Sequence, residues 1–327
     1  MAKKSVVTIG FFDGVHAGHR KLIETAVSEA KKKGLLAVLI TFDRHPHKRE
    51  LLTPLKEKLD ILGTFGLDEI DTIEFTPDFA RMPAQKFIDT YLFAKHNMDR
   101  AVIGHDFRFG LGRKGNKEML EKSCEARGCS VNCLEPVTAG DKKTVVSSSL
   151  IRTCLSIGEI KQANKLLCRD YSVEGKIIKG AGIGSSLGFP TANIQVPKEK
   201  LLPAGVYSGF SLVNGSLRVS AANIGFNPTV TGKKELKCEV HVIDYDGIIK
   251  PGDNMIFYFR EKIRNEKKFP NRGALAKQIK NDVEKIKKSY RAAYRARLIK
   301  QSSLANVSSR VFLAISNKSN PGCCMGF

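Results

Sequence analysis

The eight cysteines, at positions 124, 129, 133, 154, 168, 238, 323 and 324, include no Cys-x-x-Cys pair. A zinc centre of the usual ligand spacing is thereby excluded, and the thiols read as free. Long hydrophobic runs are missing as well. No stretch approaches the roughly 18 apolar residues of a membrane span, and Val6–Ile9, behind Met1-Ala2-Lys3-Lys4, is too short for a signal-peptide core. The expectation is a cytoplasmic protein in a reducing compartment, with no membrane partner. Acidic residues are few, 33 against 54 Lys and Arg, leaving a formal net charge of +21. That surplus suits nucleic acid and nucleotide substrates equally. About half of it lies between Glu261 and Lys300, with fourteen Lys or Arg against four Asp or Glu. No interleaved aromatic platform accompanies these charges, so a solvated basic helix is expected there, and nucleic acid is not the expected partner.

The chain has 327 residues, 42% of them hydrophobic and 27% charged. That is too long for one ordinary core of roughly 100–200 residues and suits two. In the first half, β-branched runs at Val6–Ile9, Ala37–Phe42, Ile70–Phe75, Ala101–Ile103 and Val131–Leu134 alternate with helical patterns such as Leu22, Ile23, Ala26, Val27 and Ala30. Strand–helix alternation predicts a parallel sheet covered by helices. From about Tyr171 the runs become Ser172–Ile178, Val206–Val213, Leu217–Ile224, Lys237–Tyr245 and Met255–Arg260, separated by Gly, Pro, Asn and Asp turns. This predicts an antiparallel barrel. Ala274 to about Arg297 reads as a helix packed on it, with a stripe of Leu275, Ile279, Val283 and Ile286. The expected organisation is residues 1–168, residues 169–300, and a Ser- and Asn-rich tail, 301–327, with no assigned role.

The segment Thr8-Ile9-Gly10-Phe11-Phe12-Asp13-Gly14-Val15-His16-Ala17-Gly18-His19 leaves a strand, turns on glycines and enters a helix near Gly18. In an open α/β sheet such a place binds phosphate, because the helix start offers unpaired N–H groups and the positive end of its dipole. His16 and His19, three residues apart, are both positioned to donate to one phosphate group. Neither the dinucleotide glycine fingerprint nor the Gly-x-x-x-x-Gly-Lys-Ser/Thr loop occurs in this segment.

These residues resemble the HxGH motif of the nucleotidyltransferase superfamily, and Gly-Phe-Phe-Asp-Gly-Val-His resembles the flavin adenylyltransferase domain of bifunctional riboflavin kinase/FAD synthetases. Three further blocks are similar to that family: Thr41-Phe42-Asp43-Arg44-His45-Pro46; Gly104-His105-Asp106-Phe107-Arg108-Phe109-Gly110 with Arg113, Gly115 and Asn116; and Val146-Ser147-Ser148-Ser149-Leu150-Ile151-Arg152. The resemblance implies a Rossmann-like domain in which FMN phosphate attacks the α-phosphorus of ATP, releasing pyrophosphate. It implies nucleotide and flavin binding by Gly10, Phe12, Asp13, Gly14, Gly18, Asp106, Phe107, Arg113 and Asn116, and catalysis by His16, His19 and Arg152. Physically, Ser147, Ser148 and Ser149 would donate hydroxyls to phosphate oxygens and Arg152 a charge-assisted fork, although Ser149 also suits a helix N-cap. His45 suits either a site-supporting residue or a strand-end turn.

In the second half, Gly180, Gly182, Gly184 and Gly188 precede Phe189-Pro190-Thr191-Ala192-Asn193. Glycines of this density let a loop fold over phosphates, and Thr191 and Asn193, two apart on an extended chain, project one hydroxyl and one amide oxygen to the same side, which suits Mg²⁺. The block resembles the GFPTAN motif of riboflavin kinase, continued by Pro203–Tyr207 and Asn223–Thr229. The resemblance spans about residues 5 to 290. It implies a riboflavin kinase-like barrel using ATP with Mg²⁺ or another divalent cation. Glu239 would be the base toward the ribityl hydroxyl, a solvent-facing strand glutamate being the plain alternative. Arg264 and Phe269 would cover the flavin, Phe269 serving equally as an anchor for the last helix. Two positions depart from the family: Ser185 stands where an Arg is frequent, and Asp246–Lys250 replaces an aromatic-Gly-Lys run. The substrates implied are riboflavin, FMN and ATP. The competing expectations are an FAD synthetase with an impaired kinase half and a nucleotide-responsive nucleic-acid binder.

Overall fold

The computed structural model describes residues 3–45, 50–140, 144–180, 182–228 and 234–301. The chain divides into two compact units after Ser148, inside the first turn of a helix, ahead of the 168/169 boundary expected from the sequence.

The first unit holds a five-stranded parallel sheet in the order β3-β2-β1-β4-β5. The strands are β1 (Ser5–Ile9), β2 (Leu36–Phe42), β3 (Glu69–Ile73), β4 (Met98–Gly104) and β5 (Ser130–Leu134). Each lies within a few residues of a run recognised in the sequence. Every residue of β1 is buried, as a central parallel strand covered on both faces requires. Helix α1 (Ala17–Lys33) follows β1 and ends on Gly34 in the left-handed conformation, after Lys31, Lys32 and Lys33 at its dipole's negative end. The short helices α2 (Leu55–Leu62), α3 (Pro77–Ala80) and α4 (Ala84–Phe87) come before β4, and α5 (Lys117–Glu125) before β5. Because β1 pairs with β2 on one side and β4 on the other, strand order reverses at β1. A ligand crevice is expected beyond the carboxyl ends of these strands. A minor hairpin, β6 (Thr138–Ala139) with β7 (Thr144–Val145), leads to α6 (Ser148–Ile157).

In the second unit, α7 (Ile160–Leu167) precedes a closed barrel of β8 (Ser172–Ile178), β9 (Ala192–Gln195), β10 (Gly205–Val213), β11 (Ser216–Pro228), β12 (Lys234–Val242) and β13 (Asn254–Arg264). Helix α7 is tied to the barrel by Asn164, whose buried amide donates to the Phe259 carbonyl at 2.8 Å and accepts from the Tyr171 N–H at 2.8 Å. Strand β9 was not expected. It is four residues long, follows a turn, and closes the barrel by pairing with β8 and β12. The glycine-rich stretch before it contains one helical turn, α8 (Ile183–Ser186), where an open loop was expected. Helix α9 (Arg272–Gln301) packs Val283 and the fully buried Ile286 against Phe210, Val219, Ile243 and Tyr258, as the apolar stripe predicts. Ile286→Ala is therefore expected to cost about 2–5 kcal/mol in urea unfolding, the usual result of truncating a core side chain.

The six described cysteines are free thiols, and Cys323 and Cys324 lie outside the described residues with the rest of the tail. Among the described residues no helix is long and apolar enough to cross a membrane.

Candidate active sites

Between β1 and α1 the backbone takes an unusual path. Phe12, Gly14 and Val15 have φ of 49°, 87° and 39°. For Phe and the β-branched Val this region is unfavourable, at about 1–3 kcal/mol per residue. Burial and hydrogen bonds compensate: Phe12 and Val15 are inaccessible to solvent, the Gly14 N–H donates to Thr53 Oγ1 at 2.9 Å, the Thr53 N–H to Asp13 Oδ1 at 3.1 Å, and Ser148 Oγ to the Asp13 carbonyl at 2.8 Å. The loop delivers His16 as the N-cap of α1, its Nδ1 accepting the His19 N–H at 3.4 Å. The two imidazoles stack with centroids 3.6 Å apart. This sharpens the sequence reading. With Nδ1 serving as an acceptor, the neutral His16 ring carries its proton on Nε2, so Nε2 is its donor to a ligand. His16 is buried and His19 half-buried.

Beside the loop lies a cavity of about 540 Å³, within the usual range for small-molecule sites. Of the residues expected from the sequence, Gly10, Phe12, Asp13, His19, His45, Asp106, Phe107, Arg113 and Ser148 line it. His45 packs its ring on Phe11 at 4.5 Å, as part of the wall. Asn116 is not among the lining residues; its Oδ1 accepts the Met119 N–H at 3.0 Å and caps α5. Gly14, His16 and Gly18 are not among the lining residues. The sequence reading missed part of the aromatic wall, Phe75, Phe79 and Phe87, which stand with Phe11, Phe107 and Phe109 of the quoted blocks, the last two stacked at 5.2 Å. Gly110 holds the wall in place. Its φ is 70°, and a Cβ there would stand 2.6 Å from the Ala84 Cα, closer than atoms pack. Gly110→Ala should lower stability by about 1–3 kcal/mol; an unchanged urea midpoint would contradict this.

Helix α6 starts at Ser148, so its flanking position falls to Ser147, and Ser149 sits inside the first turn. The alternative of Ser149 as N-cap is thereby corrected. In a run of three serines only the backbone decides which one caps. Arg152 is half-buried one turn further on, in the second compact unit.

A second cavity, of about 310 Å³, lies wholly within the second unit. Gly182, Gly184, Thr191, Asn193, Glu239, Arg264 and Phe269 all line it. Glu239 on β12 stands in register with Asn193 on β9 and with Asn223 on β11, so the carboxylate is flanked by two amides. Burial pushes its pKa above the ordinary carboxylate value, against the opposing charge of Lys237. The plain alternative, a solvent-facing strand glutamate, does not describe this half-buried residue. Gly184 approaches the Phe189 carbonyl so closely that a Cβ would lie 2.5 Å from its oxygen. Gly180 backs onto the Asn193 amide, Gly188 turns the chain with φ of 83°, and the Pro190 carbonyl oxygen is 2.9 Å from His241 Nδ1. Gly180, Gly188 and Pro190 thus support the wall without forming it. Arg264 pairs with Asp282 of α9 at 2.8 Å and lies 5.6 Å from the Phe269 ring centre. Among the described residues no three His, Cys, Asp or Glu side chains cluster as a metal cage. Thr191 and Asn193 beside Glu239 instead offer hard oxygen donors, a set that fits Mg²⁺ sharing its coordination with phosphate and water.

Phosphate-handling geometry thus occurs twice, on a parallel sheet and on a closed barrel, which defines a two-domain transferase using nucleotide substrates. Residues 1–150 match the FAD synthetase family and residues 167–290 the riboflavin kinase family. The bifunctional riboflavin kinase/FMN adenylyltransferase of Bacillus subtilis is 34% identical over 293 residues, covering 86% of this chain and 91% of that protein. The protein of the same description from Escherichia coli K12 is 33% identical over 287 residues, covering 85% and 90%. A crystal structure described as a macrolide-efflux protein from Streptococcus pneumoniae is 31% identical with a TM-score of 0.77, covering 87% of this chain and 94% of that one. The chain belongs to the bifunctional riboflavin kinase/FMN adenylyltransferase family.

Proposed function

We infer that the chain converts riboflavin to FAD in two ATP-dependent steps, phosphorylation to FMN and adenylylation of that FMN. We assign the first step to residues 169–300 and the second to residues 1–168. The observation that carries the assignment is that Asp13, His19, Asp106 and Ser148 line a cavity within the first compact unit and Thr191, Asn193 and Glu239 line another within the second.

In the kinase step, Glu239 accepts the proton of the terminal ribityl hydroxyl as its oxygen bonds to the γ-phosphorus and ADP leaves. The flanking Asn193 and Asn223 hold the carboxylate's surroundings polar. Thr191 and Asn193 would hold Mg²⁺, which when bound neutralises charge on the phosphates. The flavin lies against Phe269 and Arg264.

In the adenylylation step, a phosphate oxygen of FMN bonds to the α-phosphorus of ATP, and the bond to the β-phosphate's bridging oxygen breaks. Little proton transfer is required, so the protein contributes position and charge. His16 Nε2 and His19 donate to the phosphate oxygens at the start of α1, and it is the resemblance to the family that assigns Arg152 and the Ser147–Ser149 run to the departing pyrophosphate. The aromatic wall stacks the isoalloxazine. We also propose a cytoplasmic location, with which six described cysteines that form no disulfide agree.

The test is separability. FMN plus ATP should give FAD and pyrophosphate with no riboflavin present, and riboflavin plus ATP should release ADP in step with FMN. Failure to adenylylate supplied FMN would contradict the assignment.

A further inference from the structure

Lysine is rarely buried without partners. Lys58, on α2, is 5% exposed. Its ammonium donates to the Phe42 carbonyl at 2.7 Å, to Thr41 Oγ1 at 2.9 Å and to the Phe11 carbonyl at 3.2 Å. An ammonium has three N–H bonds, and all three are used. Thr41 and Phe42 end β2, and Phe11 lies two residues beyond β1 at the entrance to the left-handed loop. One side chain therefore joins the carboxyl end of β2 to the histidine loop where that loop leaves β1. The same segment holds that loop a second time, since Thr53 exchanges hydrogen bonds with Asp13 and Gly14.

We propose that Lys58 is a positioning residue for adenylyl transfer: its ammonium pins the Phe11 carbonyl to the end of β2 and so fixes where the loop presents His16 and His19. This rests on the reading that those histidines act on the phosphates. Lys58 is absent from the walls of the 540 Å³ cavity, so it acts through the loop.

The clasp is sensitive to pH. Desolvation brings the Lys58 ammonium down to about 8, while the charges of Asp13 and Asp43 pull the other way. Arg44 and His45 are the other charged or titratable groups lining the same small space. A neutral amine has two N–H bonds, so above this point the clasp loses one of its three bonds, and the Phe11 carbonyl, which also accepts from Thr41 Oγ1 at 3.4 Å, is held less firmly. Adenylyl transfer should therefore decline as pH rises through about 8, and riboflavin phosphorylation, on the other unit, should not share that decline.

The experiment measures FMN adenylylation and riboflavin phosphorylation separately on full-length wild type, Lys58→Met, Lys58→Arg and His19→Ala. Misplacement of catalytic groups by about 1 Å costs about 10²-fold, so Lys58→Met should lose about 10²-fold in adenylylation kcat, with KM for FMN within about threefold and kinase rate unchanged. Lys58→Arg should recover part of the loss and abolish the alkaline decline, because guanidinium keeps its proton. The proposal is overturned if Lys58→Met keeps its adenylylation kcat, if the loss lies in KM alone, or if both activities fall together. Should Lys58→Met not fold, the wild-type profile decides: an alkaline decline in adenylylation alone supports the clasp, and a flat profile overturns it. Full activity of His19→Ala would remove the histidine reading itself, whereas an inactive His19→Ala beside an active Lys58→Met would remove only the role of Lys58.

Discussion

His19→Ala is expected to stop the chain at FMN. Removing one preorganised donor from a transition state costs about 10²–10³-fold in kcat, so FAD should fall by that factor while FMN accumulates at the wild-type rate. His19 is a cleaner probe than His16. The His16 ring also caps α1, and losing a cap costs about 1 kcal/mol of stability, so its replacement mixes a structural effect with a chemical one. His19 joins the cap through its backbone N–H, and alanine keeps that bond. Chromatography of flavins against time reads the result. Wild-type FAD formation by His19→Ala would mean that phosphate is held elsewhere.

Glu239→Gln should have the opposite phenotype. A positioned general base contributes about 10²–10⁴-fold, so riboflavin should remain almost unconverted while supplied FMN still becomes FAD. The amide keeps the size of the carboxylate between Asn193 and Asn223, so a loss of rate would report lost basicity. The pH dependence has a definite sign. The base works ionised, and burial raises the pKa of Glu239 above the ordinary carboxylate value. FMN formation should therefore lose rate on acidification at a pH above the ordinary carboxylate range, and the Gln variant should lack this limb. An acid limb within the ordinary carboxylate range would contradict the effect of burial.

The sequence carried the parallel sheet because β1, β2 and the Ala101–Ile103 core of β4 are short, largely apolar, β-branched runs, as strands buried on both faces require. It did not carry β9. Four residues after a Gly-Phe-Pro turn have no local strand signature, and their pairing with β8 and β12 is made by residues distant in sequence. The flavin-side aromatics escaped for a similar reason. Phe75 reads as a strand end and Phe87 as one helical core position, and only the folded sheet brings them to one wall with Phe79 and Phe109. Asn116 shows the converse limit, since an asparagine before a helix suits a cap and a ligand contact equally, and the structure uses it as a cap. Lys58 was hidden by its neighbours: in Leu-Lys-Glu-Lys-Leu-Asp, Lys56 pairs with Asp60 on the exposed face, and Lys58 reads as more of the same.

The central claim is that one chain holds two working sites acting in series. It is tested most directly by incubating purified wild-type protein with riboflavin, ATP and Mg²⁺ and following all three flavins with time. FMN should rise first and FAD should follow at its expense. Unchanged riboflavin, or FMN that persists as the final product with ATP in excess, would contradict the claim.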